Sequence, residues 1–314
     1  MAANEPFLFL AFALEYARIF NGGRTHHLPI YIDGTCNGLQ HLSSLIREHN
    51  LAKYVNLLKS SEVDKPGDIY SHCADLVKAE LHVSDYPNLG SLPIDRAFVK
   101  TSIMTIPYSV TLHGVRKQIE EHFNVQFDPR TAGIIYYKHR KSGILITNAE
   151  LTYLSKVIYN ILFKENPALG ELNKYFQAIA KLLATLNLGV VWITPNGLEV
   201  KQKYTKFDKK LLAVNLYKNK LARHIISIPT SDLNKVKQAH GLLPNFIHSL
   251  DASTIQVLVN RLGSIGKSGL NLVTIHDCFG STADTINLIK AEVKSSFVFI
   301  YSDQNILINF TNIK

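Results

Sequence analysis

Apolar positions along this chain recur mostly at helical spacing, interrupted by a few short runs that read as strands. Residues 5–20 carry a nearly continuous apolar run, Phe7 to Leu14 and on to Phe20, which predicts a buried helix ended by Asn21-Gly22-Gly23. Leu28 to Asp33 reads as a strand. A glycine-bearing turn and a helix through Leu39, Leu42, Leu45 and Ile46 follow it. Pro66-Gly67-Asp68 predicts a turn and N-cap for a helix from Ile69 to Leu81. Two long helical patterns occupy 145–187, through Leu151, Leu154, Ile158 and Ile161, then Leu172, Phe176, Ile179 and Leu183. Val190–Ile193 and Leu198–Tyr204 flank Pro195-Asn196-Gly197 and predict a hairpin; 205–235, Lys-rich with alternating Ile225, Ile226 and Ile228, fits a second. Pro244 is expected to open a helix carrying His248 and Asp251. A strand, a turn and a strand close the pattern around Asp277. The fold class is α+β, mainly helical.

Charge adds a partner class. Net charge is +9 with a pI near 9.3, which favours an acidic partner such as nucleic acid over a merely basic surface. Lysine far outnumbers arginine, and Asn and Ile are plentiful, as an AT-rich coding sequence would produce; this points to an organellar or plasmid genome. Cys36, Cys73 and Cys278 have neither zinc-site spacing nor an even disulfide count, so they read as free thiols. Phe7 to Leu14 is too short to span a bilayer, which takes ~20 residues, so no membrane partner is expected. The N-terminus lacks the Arg-rich pattern of an import sequence.

Candidate chemistry sits at two strand ends. Asp33 follows Ile30-Tyr31-Ile32, and Asp277 follows Leu272, Val273 and Ile275; small residues come after each. Each alone reads as a turn aspartate. Side by side, two such carboxylates suit magnesium and a triphosphate. Between them Arg96, Lys100, Met104 and Tyr108 recur every fourth residue and share one helix face. Two cations there suit phosphate, where the alternative is a solvated face.

These three segments are Asp33-Gly34-Thr35-Cys36-Asn37-Gly38-Leu39-Gln40-His41, Arg96 to Tyr108, and Ile275-His276-Asp277-Cys278-Phe279-Gly280. In this order they resemble motifs A, B and C of the single-subunit, bacteriophage-type RNA polymerases, which include mitochondrial enzymes. Pro6-Phe7-Leu8-Phe9-Leu10-Ala11-Phe12, Asp68-Ile69-Tyr70, Trp192 to Gly197 and His240 to Ser249 extend the resemblance over nearly the whole chain. It implies the palm and fingers of a right-hand polymerase: palm 1–61, fingers 62–248, palm 249–314, with thumb and N-terminal domain absent from this segment. The resemblance also implies two Mg2+ ions on Asp33 and Asp277, assisted by the Gly34 backbone carbonyl. Arg96 and Lys100 would hold the triphosphate, with Lys100 in a catalytic role toward pyrophosphate. Tyr108 would sense the ribose 2′-hydroxyl, Tyr70 would lie near nucleotide entry, and His248 near the template–product duplex. Residues 205–235 overlap the family's promoter-reading loop.

The implied activity is DNA-directed RNA synthesis from ribonucleoside triphosphates on a DNA template, with nascent RNA as product. The implied location is the mitochondrion, with phage-infected cytoplasm as the alternative. Two departures stand out: Pro107 should end the motif B helix early, and Ser109 stands where most members have glycine. Together with the coding bias, Pro107 looks most like the mitochondrial linear-plasmid branch. Family-A DNA polymerases share the motif B spacing, but they carry a glutamate shortly after the first aspartate and His-Asp-Glu at the second; this chain has neither. A decayed piece that binds nucleic acid without catalysis is the remaining alternative.

Overall fold

The computed structural model describes residues 3, 5–23, 25, 27–58, 66–127, 133–216, 220–266, 270–302 and 306–311. Among these the chain is mixed α/β and mostly helical. The expected boundary between 61 and 62 lies outside the described residues.

The first part runs α1 (Pro6–Phe20), β1 (Ile30–Ile32), α2 (Asn37–Ile46), α3 (His49–Tyr54), α4 (Ile69–Glu80) and α5 (Arg96–Thr105). It continues with α6 (Leu112–Glu120), β2 (Phe123–Phe127), β3 (Ile134–His139), β4 (Leu145–Ile146), α7 (Asn148–Glu165) and α8 (Pro167–Thr185). Two hairpins follow, β5 (Val190–Ile193) with β6 (Glu199–Gln202), and β7 (Thr205–Leu216) with β8 (Lys220–Leu233). The chain ends with α9 (Lys235–Ile265), β9 (Val273–Ile275), β10 (Cys278–Ser281), α10 (Ile286–Ser302) and α11 (Ile306–Thr311).

Local chemistry explains most boundaries. Asp68 caps α4 by accepting from the Tyr70 N–H, Asp95 caps α5 through the Phe98 N–H, and Thr147 with Glu150 forms a reciprocal capping box on α7. As its proline predicts, α5 stops at Thr105 and gives way to a 3-10 turn, Ile106–Tyr108.

One core unites the chain from Leu39 to Phe310, with the faces of α2, α4, α5, α7, α8 and α9 packed around Phe98, Ile103, Leu151 and Phe176. A smaller cluster, Leu258, Leu262, Phe279 and Ile289, seats α9 and α10 on a three-stranded antiparallel sheet of order β1-β10-β9. The β5–β6 hairpin docks on α9 through Trp192, whose indole N–H donates to Ser249 Oγ at 2.9 Å.

Two expectations are corrected. The helix over 6–20 exists, but none of its residues is buried; Phe7 is 86% and Phe20 80% exposed. Its apolar character reports a surface that the described residues leave uncovered. Pro244 does not open a helix: α9 begins nine residues earlier, at Lys235, where the Asn234 side chain accepts from the Lys237 N–H, and runs through the proline. The missing N–H removes one helical bond, while Leu242, Leu243, Phe246 and Ile247 on the same stretch are buried, and their packing keeps the helix continuous. The small sheet β2-β3-β4 was not anticipated.

Candidate active site

The sheet register brings the two strand-end aspartates to one place. Ile32 pairs with Phe279. Asp33 therefore leaves β1 at the end of the sheet where Asp277 enters β10 from the β9–β10 turn. Gly34 lies against this pair: a Cβ there would stand 3.0 Å from Asp277 Oδ2 and 3.4 Å from Gln40 Oε1. Burial pushes the Asp277 carboxyl above its usual range, and the charges of Asp33 and Asp251 push it further, against a backbone hydrogen bond that lowers it. The site concentrates negative charge on a half-buried group.

The motif B face lies across α2. Tyr108 rests on the first turn of α2, where a Cβ on Gly38 would come within 2.7 Å of its hydroxyl; the Gly38 backbone hydrogen-bonds that hydroxyl. Burial, then Cys36, Asp251 and Asp277, push the phenol up to about 12, so it keeps its proton at neutral pH. Its ring stacks on His248 of α9, with centroids 4.8 Å apart and planes 15° from parallel. Tyr70 is buried on α4 and hydrogen-bonded to Cys36. Arg96 lies over its ring at 5.1 Å and Lys100 at 6.0 Å, both cations exposed. Arg96 Nε donates to Asp68 Oδ2 at 2.7 Å. Burial would raise the Asp68 carboxyl, but Ser71, Arg96 and the Tyr70 N–H outweigh it and hold it below its ordinary value.

Among the described residues, three of the six non-glycine residues with positive φ stand at this site: Cys36 (53°), Ser109 (57°) and His276 (56°). Each precedes or follows a functional residue or element. Such backbone costs of order 1–3 kcal/mol per residue and clusters where geometry matters more than stability. Ser109 adopts the left-handed conformation that a glycine would take freely.

A family profile described as DNA-dependent RNA polymerase matches residues 1–313. The chain belongs to this polymerase family. A probable DNA-directed RNA polymerase of Neurospora crassa is 38% identical over 99% of this chain and 36% of its own length. The mitochondrial DNA-directed RNA polymerase 1 of Arabidopsis thaliana is 28% identical over 98% of this chain and 31% of its own length. DNA-directed RNA polymerase 2A of Nicotiana tabacum is 28% identical over 95% of the chain and 87% of its own length. The chain spans roughly a third of the first relatives it matches, at 36%, 27% and 34% of their lengths.

For a polymerase of this family the residues present fit magnesium. The ion is held by one or two carboxylates, with substrate phosphates and water completing its shell. Asp33 and Asp277 supply that number, their mutual repulsion is the electrostatic cost a cation relieves, and a side chain at 34 would crowd Asp277 Oδ2. Among the described residues no three His, Cys, Asp or Glu side chains converge as a metal set.

The structure thus brings Asp33, Gly34, Asp277, Tyr108 and His248 together, and joins Tyr70, Arg96 and Lys100 to them through Cys36. The sequence reading assigned no role to Asp251, Asn37, His41 and Cys36. Asp251 stands three residues after His248, on the same helix face, which is the signal that could have found it.

Proposed function

We propose that this chain carries the nucleotidyl-transfer centre of a DNA-directed RNA polymerase, with a DNA template, nascent RNA and ribonucleoside triphosphates as partners. The observation that supports it most is the convergence of Asp33 and Asp277 at one sheet end, with Tyr108 across α2 from them. In this reading the β1-β10-β9 sheet with α10 is palm, the division expected at 1–61 and 249–314, and the intervening helices are fingers.

Asp33 and Asp277 would hold two Mg2+ ions, with the Gly34 carbonyl assisting. Magnesium there supplies a lowered pKa for the RNA 3′-hydroxyl and neutralisation of charge on the leaving pyrophosphate. The chain's own groups position the reactants. Asp68 takes Arg96 Nε, which leaves the terminal N–H groups of Arg96 for phosphate. Lys100 adds a second exposed cation and a proton donor for pyrophosphate. Tyr70, kept neutral by burial and then by the neighbouring thiol, is the platform that holds both cations on one side. Tyr108 presents a protonated hydroxyl, which can recognise the ribose 2′-hydroxyl. His248, stacked behind it, would meet the template–product duplex. The mitochondrial relative supports a mitochondrial site of action.

RNA-primer extension on a DNA template, by a polymerase carrying this sequence, is the test. Asp33→Asn and Asp277→Asn are each expected to lower extension by about 100-fold or more while template binding is retained. In the same assay Tyr108→Phe should lower the preference for ribonucleotides over deoxyribonucleotides. Extension at the unsubstituted rate by either aspartate variant would refute the assignment.

A further inference from the structure

Behind the carboxylate pair lies a polar chain that nucleotidyl transfer does not use directly. The Tyr301 hydroxyl on α10 lies 2.6 Å from His41 Nδ1 on α2. The other ring nitrogen, Nε2, faces Asp251 on α9, 3.9 Å from Oδ1. That same Oδ1 accepts a hydrogen bond from Asn37 Nδ2 at 2.8 Å. His41 is 1% exposed. Three helices from opposite ends of the chain meet at these four side chains.

The proton positions follow from burial. Tyr301 sits in the interior, beside the Asp251 charge, and both effects keep its phenol protonated. Its hydroxyl shares a short hydrogen bond with His41 Nδ1. The buried Nε2 has no hydrogen-bond partner, and Asp251 is the carboxylate it faces. Burial disfavours the Asp251 charge, but His41, Asn37 and His248 outweigh it and hold the carboxyl ionised. Asp251 is therefore a fixed anion whose field reaches both Asp277 and Tyr108.

A third aspartate beside Asp33 and Asp277 invites a role as a further ligand. The geometry points elsewhere, because no trio converges among the described residues and Oδ1 is already engaged by Asn37. Asn37 is the first residue of α2. This helix begins badly: its N-cap, Cys36, is left-handed and makes no side-chain capping bond. Yet the same turn follows Asp33-Gly34 directly and seats Tyr108 on Gly38. Besides the Tyr108 hydroxyl on the Gly38 backbone, the Asp251–Asn37 bond holds that start from outside the helix.

We propose that Asp251 is a positioning residue: by holding Asn37, and by facing a His41 anchored on Tyr301, it fixes the first turn of α2 and with it the aim of the Asp33 loop. The inference rests on the reading of Asp33 and Asp277 as metal ligands.

Mn2+ binding to the full 314-residue chain, read by electron paramagnetic resonance with thermal unfolding alongside, separates the two. The unsubstituted chain should bind Mn2+ and Asp33→Asn should lose it; failure here removes the metal reading and the inference with it. Given that binding, Asp251→Asn and the isosteric Asn37→Asp are each expected to weaken Mn2+ affinity by about 10-fold. Combining Asn37→Asp with Asp251→Asn rebuilds the hydrogen bond with its ends exchanged and should recover most of the loss. A charge acting only through space predicts the opposite for Asn37→Asp, which brings an anion closer. Binding by Asn37→Asp as tight as that of the unsubstituted chain, or a swapped pair no better than either single variant, would overturn the proposal.

Discussion

Asp277 and Asp251 are neighbours with opposite electrostatic situations, and their effects on stability should have opposite signs. Asp277 has its carboxyl pushed up by burial and then by the other two aspartates. A carboxyl that binds its proton more tightly when folded loses folding free energy as pH rises through the interval between its unfolded and folded pKa values. With metal chelated, Asp277→Asn should raise the melting temperature at neutral pH. The gain should vanish below about pH 4, where the carboxyl is protonated in both states. Asp251 is held below its ordinary value despite burial, so its charge stabilises the fold at neutral pH and that contribution is lost in acid. Asp251→Asn should accordingly lower the melting temperature at neutral pH, and the difference should close on acidification. Calorimetry of both variants across pH checks the pair of signs. A shift of the same sign in both would contradict the site electrostatics.

At the scale of elements, caps and register carry the site. Asp68 serves three groups at once: the Tyr70 N–H that starts α4, the Ser71 hydroxyl, and Arg96 on α5. Asp68→Ala should cost about 1 kcal/mol through the cap, measured by urea unfolding. It should also raise KM for nucleotide more than it lowers kcat, because Arg96 loses its hold. Much of this architecture was legible in sequence. The Asp68 cap, the early end of α5 at Pro107, the Pro195-Asn196-Gly197 hairpin and the strand–turn–strand around Asp277 follow from local chemistry that the chain writes within a few residues. What was not legible is non-local. The surroundings of α1 could not be read from its apolar run, because periodicity reports which residues avoid water and not what covers them. Pro244 was misplaced because buried neighbours on both sides override the local preference to start a helix there. Asn37, His41 and Asp251 gained a role only when helices some 200 residues apart in sequence were seen to meet, as the 214-residue separation of the Asn37–Asp251 bond shows.

Over the whole molecule, the net charge is +9, and Lys209 and Lys210 stand exposed on β7; if the chain acts on DNA as proposed, this surface would meet phosphates. Duplex DNA should bind with an affinity that falls linearly with salt on logarithmic axes, with a slope steeper than about −2, because each phosphate contact releases condensed counterions. Filter binding or fluorescence anisotropy at several salt concentrations measures it. A flat dependence would remove DNA from the partners of this surface. None of the described helices is long and apolar enough to cross a membrane.

The unbroken passage through Pro244 has a mechanical consequence. Strand β8 ends at Leu233 and Asn234 already caps α9, so ribbon and helix are one piece with no slack between them. Tyr204, at the foot of the ribbon, presses on the same helix, where a Cβ on Gly241 would stand 2.8 Å from its ring. At 1.5 Å per residue the helix is a rod about 46 Å long, with His248 and Asp251 near its middle. A load applied to the ribbon travels along that rod as torque. It meets its softest point at the proline, where one backbone bond is missing. Beyond this pivot the rod reaches His248 after about one turn, so a load on the ribbon is passed toward the stacking of His248 on Tyr108.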